Sequence, residues 1–162
     1  STILRNLVED NTTELETIKW LFYLKPDLYV PYDIFVFAIE AENLDIIKLI
    51  HSKNPNNINN LTPLVFQELC EDHEDIDIIH WILETRPSFD ITTDDHNAFR
   101  IACEYEDYPL ARLLCDHEPD IYSIFKTFFT HYSCIKQIKY MLIKIYQNLS
   151  YDLDFFFLHS GF

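Results

Sequence analysis

The densest group of potentially reactive side chains lies between residues 70 and 80. Cys70, Glu71, Asp72 and His73 are consecutive, and His80 follows within the same segment. A zinc site needs four tetrahedral ligands, which usually come as two closely spaced pairs, and no second pair stands at a suitable spacing. We therefore interpret the segment as a turn between two helices with an incidental histidine, and we predict no metal site.

The same segment carries the densest acidic run of the chain, formed by Glu71, Asp72, Glu74, Asp75 and Asp77. A calcium loop needs a glycine at its turn and a twelve-residue order of ligands, and both are missing. The run is typical of a solvated turn in which Asp75 caps the next helix.

Cys103 together with one of the histidines is the best candidate for a nucleophile and its base. However, Cys103 follows Ala102 at the small-residue positions of an expected helix, which suits packing better than attack. The single glycine, Gly161, also argues against phosphate-cradling loops and dinucleotide sites, which need glycine for close backbone approach. We predict no catalytic residue and no cofactor. A divergent hydrolase or metalloenzyme is the alternative, and it would require these side chains to share one pocket.

The elements that carry these residues recur along the chain. A proline follows the same bulky position by six residues four times, as Trp20 and Pro26, Leu49 and Pro55, Trp81 and Pro87, and Leu113 and Pro119. The prolines are 29, 32 and 32 residues apart. Self-similarity at about 30 residues indicates stacked repeats, since one such unit cannot bury its apolar face alone.

Each repeat is predicted to contain two short antiparallel helices, a first helix and a second helix. First helices are expected at Asp33–Glu42, Thr62–Glu71 and Asn97–Tyr105, with a fragment around Ile3–Glu9. Second helices carry apolar residues at i, i+3 and i+4 and end at the recurring proline. Their expected N-terminal signals are the Thr13–Glu16 capping box, Pro109 in a first turn, and the caps Asn43, Asp75 and Asp107.

The bulky position holds both tryptophans, Trp20 and Trp81, and it holds leucine or tyrosine in the other units. A position that exchanges such residues at a fixed phase is typical of a core or of a seam between helices. Stacking of these rings on a ligand is the minor alternative.

These features resemble ankyrin repeats, in particular the proline-bearing, glycine-poor repeats of large DNA viruses of amoebae. Thr62-Pro63-Leu64 matches the opening of the family's first helix, and Ala102-Cys103 matches its small-residue pair. Leu113–Ile121 and Leu21–Leu28 match the end of the second helix, with proline in place of glycine. The resemblance implies an all-α solenoid of stacked helix-turn-helix repeats. The short stretches after Pro26 and Pro55 imply shortened hairpin loops.

On this basis we divide the chain into about five degenerate units, followed by an irregular tail or the start of a further repeat. The units are approximately 1–28, 29–57, 58–89, 90–122 and 123–149, and the tail is 150–162. In the last part, Ile135–Asn148 is expected to form a second helix, and the apolar run Phe155–Leu158 is expected to cap the array or to continue into further sequence.

The net charge and the cysteines indicate the kind of partner and the cellular compartment. Residues 1–122 carry 8 Lys and Arg against 25 Asp and Glu, a difference of −17, and residues 123–162 carry 4 against 2, so the total is −15. This charge disfavours nucleic acid as a partner and attracts basic surfaces. The four cysteines form no close pairs, as expected for free thiols in a reducing compartment. No apolar run approaches the ~18–20 residues of a membrane helix, and no secretory leader is visible.

The predicted function is therefore a non-catalytic scaffold that binds another protein on the concave face of the array, with an acidic decoy for basic DNA- or RNA-binding proteins as the alternative. The resemblance implies an intracellular, cytoplasmic setting, which for a viral protein is the host cytoplasm with a host protein as partner. In ankyrin arrays the loops between units contribute to the recognition surface. The corresponding candidate contact residues here are Tyr29, Tyr32, Asn59, Asn60, Asp94, Asp95 and His96.

Overall fold

A computed structural model of the chain describes residues 2–10, 15–72 and 76–118, apart from the side chain of Asp95. Within these residues the protein is all-helical and contains no strand. In chain order the α-helices are α1 (Thr2–Glu9), α2 (Leu15–Leu24), α3 (Tyr32–Glu40), α4 (Leu44–Lys53), α5 (Pro63–Asp72), α6 (Ile76–Thr85), α7 (Thr93–Glu104) and α8 (Tyr108–His117). A 3₁₀ helix, Pro55–Asn60, lies between α4 and α5.

The helices are arranged in consecutive pairs, each with a first and a second helix. Helix α1 packs on α2 and α3, α2 and α3 each pack on α4, α5 packs on α6, and α7 packs on α8. The i, i+3, i+4 spacing of the second helices places one apolar face in the core, as predicted. The residues of that face that are buried include Ile18, Phe22, Ile46, Ile47, Ile50, Ile78, Ile79, Ile82, Leu83, Leu110 and Leu114.

The predicted first helices lie within a few residues of the observed ones, and the largest difference is at α7. Its observed start, Thr93, precedes the predicted start, Asn97, by one turn. Asp94 and His96 in that turn have positive φ, at 53° and 58°. This left-handed conformation interrupts a regular right-handed helix. The predicted start, Asn97, is the residue from which α7 continues without positive φ.

Where the predicted capping residues lie within the described part of the chain, they occupy the expected helix N-termini. The side chain of Asn43 accepts a hydrogen bond from the Ile46 amide at 3.1 Å, and that of Asp107 accepts one from the Leu110 amide at 3.0 Å. Pro109 lies in the first turn of α8, where a missing amide proton costs nothing. Thr13 and Asp75 lie outside the described residues, as do the predicted helix Ile135–Asn148 and the apolar run Phe155–Leu158.

The second helices end without glycine, on a turn that begins at the residue before each proline. The amides of Lys25, Asn54 and Arg86 donate to the carbonyl oxygens four residues earlier, at 2.9, 3.3 and 2.9 Å. The carbonyl oxygens of the same three residues then accept bonds from the amides three residues later, at 3.1, 3.1 and 3.0 Å. Proline therefore occupies the second position of each turn, where its fixed φ fits.

Two of the first helices end on a glutamate in the left-handed conformation. Glu42 follows α3 with φ 53°, and Glu106 follows α7 with φ 56°. After α7 the Glu106 amide bonds to the Cys103 oxygen at 3.3 Å and the Asp107 amide bonds to the Ala102 oxygen at 2.9 Å. This is the Schellman pattern, whose left-handed position is usually held by glycine. Glutamate there carries a steric cost that glycine avoids.

The chain divides into two compact units, Ser1–Phe89 and Asp90–Phe162. Their boundary coincides with the limit between predicted repeats 58–89 and 90–122. Among the helices of the described residues, none combines the length and the apolar character needed to cross a membrane.

Candidate functional site

The predicted contact residues differ in exposure. Tyr29 is 72% exposed, and Asn59, Asn60 and Asp94 are also exposed. Tyr32, at the start of α3, is half-buried, and the side chain of Asp95 is outside the described part of the structure.

His96 departs from the expectation of an exposed loop residue, because its side chain is buried. The left-handed turn at the start of α7 leaves Asp94 at the surface and His96 inside. Within the first compact unit, the exposed members of the predicted set are therefore Tyr29, Asn59 and Asn60.

Tyr29 lies in a loop that is tied to the end of the following helix pair by two amide side chains. Nδ2 of Asn54 donates to the Val30 carbonyl oxygen at 3.0 Å, and Nδ2 of Asn57 donates to the same oxygen at 3.2 Å. Asn54 also donates to Oδ1 of Asn57 at 3.1 Å. Because Asn57 is only 2% exposed and Val30 is buried, the bond between them forms away from water, where an unpaired carbonyl would be costly, while the two bonds of Asn54 are partly buried. We call this arrangement the first junction.

A second junction ties the 3₁₀ helix to the end of α6 through one guanidinium group. Nη1 of Arg86 donates to the carbonyl oxygens of Ile58 and Leu61, each at 3.2 Å. The guanidinium carbon lies 5.0 Å from the ring centroid of Phe89, and that ring packs against Phe66 at 4.9 Å between centroids. Asn59 and Asn60 lie between the two carbonyl groups that Arg86 binds.

The two junctions therefore connect three successive segments of the first unit, namely residues 28–31, residues 54–61 and the end of α6. Tyr29, Asn59 and Asn60 are the exposed predicted contact residues on them, and we call these three side chains the junction edge. They lie on backbone that is fixed by hydrogen bonds from side chains of neighbouring segments.

A row of aromatic side chains lies behind the junctions. Centroid distances are 6.4 Å between Tyr32 and Phe35, 6.3 Å between Phe35 and His51, and 5.3 Å between His51 and Trp81, the last pair edge-on. His51 corresponds in register to Phe22, Leu83 and Cys115, which are all buried. It is therefore a histidine at a core position.

Two polar atoms of this row, Nδ1 of His51 and the hydroxyl oxygen of Tyr32, are inaccessible to solvent. Nδ1 of His51 has no hydrogen-bond partner among the described residues, and burial lowers the pKa of its imidazole. Burial raises the pKa of the Tyr32 phenol, and the nearby Thr62 backbone opposes that rise. The Tyr32 hydroxyl approaches Thr62 without meeting the distance and angle of a hydrogen bond to any described residue, so we regard this contact as a weak polar one.

The prediction that both tryptophans form core or seam contacts holds for Trp81 and is wrong for Trp20. Trp81 packs on His51 of the preceding second helix and is half-buried. Trp20 is 64% exposed, because no helix pair of the described chain packs on the corresponding side of α2.

In the second compact unit, Asp90 organises the segment before α7. Its Oδ1 accepts bonds from the Thr92 amide at 2.9 Å and from the Thr92 hydroxyl at 2.6 Å. The hydroxyl bond, the amide bond and the nearby His96 each lower the pKa of the Asp90 carboxyl group. This turn was not predicted, although the Asp-x-Thr pattern that forms it is readable in the sequence.

The two cysteines considered for chemistry, Cys70 and Cys103, lie in packing positions, whereas His80 is exposed and His73 lies outside the described residues. Cys70, Cys103 and Cys115 are buried free thiols. Burial, followed by the neighbouring Cys115 and Glu104, raises the pKa of Cys103 to about 12, so Cys103 is protonated at neutral pH. No three His, Cys, Asp or Glu side chains in the described part of the chain are grouped so that they could hold a metal ion.

The residues that sequence reasoning missed are Asn54, Asn57 and Arg86. A signal for two of them exists, because Asn54 and Arg86 directly precede the recurring proline and both carry side-chain donors. Comparison of the chain with protein-family models, with curated proteins and with solved structures finds no match. The resemblance to ankyrin repeats therefore rests on the sequence motifs and spacing given above.

Proposed function

We propose that this chain is an ankyrin-like array of helix pairs that acts without catalysis and binds another protein along the concave face formed by its inter-unit loops and first helices. The observation that supports this most directly is the pair of junctions. They fix three successive segments, so the side chains of the junction edge can meet a partner without a large ordering cost. Tyr29 is a natural anchor, because tyrosine is enriched among the residues that dominate binding energy.

Charge contributes to the proposed mechanism through the rate of encounter. The net charge of −15 favours a partner with a basic surface, because complementary long-range potentials accelerate association more than they strengthen the final complex. We propose an intracellular, cytoplasmic setting, which is the host cytoplasm if the protein is viral. The buried free thiols of Cys70, Cys103 and Cys115 suit a reducing compartment.

The test compares three baits in affinity capture from cell lysate, with washes at low and high salt and identification by mass spectrometry. The first bait is the unaltered chain, and the second carries Tyr29→Ser, Asn59→Ser and Asn60→Ser. The third is a charge-neutral control, Lys48→Gln with Asp77→Asn, at exposed positions of second helices. We expect one stoichiometric partner that resists high salt, is lost from the second bait and is kept by the control.

The acidic decoy is the second candidate function, and the net charge of −15 is the observation that favours it. It predicts that all three baits capture several basic nucleic-acid-binding proteins and lose them at high salt, because exposed charges are screened. That result would replace the scaffold proposal. A partner held equally by the first two baits would exclude the junction edge as its binding surface.

A further inference from the structure

No further inference is drawn: the strongest candidate, the exposed apolar face of α2 formed by Trp20, Tyr23 and Leu24, carries nothing because nothing in the described part of the structure shows what covers it.

Discussion

The two junctions of the first compact unit fix their loops with different side chains. At the first junction two amides, from Asn54 and Asn57, converge on one carbonyl oxygen. At the second junction one guanidinium spans two carbonyl oxygens. The first junction is therefore redundant on the donor side, whereas the second depends on a single residue. The junctions should therefore fail differently when one donor is removed.

The largest effect is expected at the second junction. Arg86→Met keeps much of the aliphatic volume but leaves the oxygens of Ile58 and Leu61 without this donor, and we expect a loss of about 3 kcal/mol in the free energy of unfolding. Urea unfolding followed by tryptophan fluorescence measures it, since both tryptophans, Trp20 and Trp81, lie in the first compact unit. Arg86→Lys should lose less, because one ammonium group can still reach one oxygen. Equal losses for Met and Lys would contradict the two-carbonyl geometry.

A smaller and non-additive effect is expected at the first junction. Asn57→Ala should cost about 2 kcal/mol because Asn57 is buried, and Asn54→Ala should cost about 1 kcal/mol. Each single variant leaves one amide donor on the Val30 oxygen. The double variant removes both, so its loss should exceed the sum of the single losses. Strict additivity in the same urea experiment would show that the two amides do not share this carbonyl in solution.

His51 lies at the contact between α4 and α6, where its ring packs edge-on against Trp81. His51→Leu places at this position the residue type that Leu83 has at the matching position of α6, and it removes Nδ1, which has no hydrogen-bond partner among the described residues. We expect a gain of about 1 kcal/mol near neutral pH, after some loss of ring contacts with Phe35 and Trp81.

The same substitution should alter the pH dependence of folding. Because the folded-state pKa of His51 is lowered, its contribution to stability is fully present above the unfolded pKa of about 6.5 and is lost as pH falls below it. His51→Leu should flatten that decline in thermal unfolding. His80→Gln, at an exposed position, serves as the control and should leave the decline in place. An identical acid profile in the unaltered chain and in His51→Leu would argue against a neutral, half-buried imidazole in the folded state.

The smallest effects concern the helix ends that use left-handed glutamates. Glu42→Gly and Glu106→Gly should each stabilise the protein by about 0.5–1 kcal/mol, since glycine avoids the steric cost of φ near 55°. They report on different compact units. Each substitution should move the midpoint of urea unfolding, followed by helical circular dichroism, to a higher urea concentration. Destabilisation by either substitution would contradict the left-handed conformation.

Much of the helical organisation was predictable from the sequence, because apolar spacing, caps and prolines are local signals. Asn43, Asp107 and Pro109 act at the helix starts where they were expected. The junction contacts were not predictable in the same way. The bond from Asn57 to Val30 joins residues 27 positions apart, and no periodicity states which carbonyl oxygen such a side chain will meet.

The predicted exposure of individual side chains is correct for some residues and wrong for others, because exposure also depends on tertiary contacts. The loop position of Tyr29 was enough to predict an exposed side chain. The burial of His96 depends on a left-handed turn that histidine adopts only occasionally. Trp20 is exposed because, within the described residues, no neighbouring helix pair packs on that side of α2. Both outcomes are set by tertiary context. Residue type and position in the repeat therefore predicted the wrong exposure for both His96 and Trp20.

The junctions also limit how the proposed partner would bind the junction edge. A peptide that adds itself to a protein as an extra strand needs free main-chain groups in a row. Here the oxygens of Val30, Ile58 and Leu61 already accept side-chain hydrogen bonds, and the described residues contain no strand edge. If a partner binds the junction edge as proposed, it would contact side chains and not free main-chain groups. Its specificity would then change by substitution at Tyr29, Asn59 and Asn60 while the backbone beneath them stays the same.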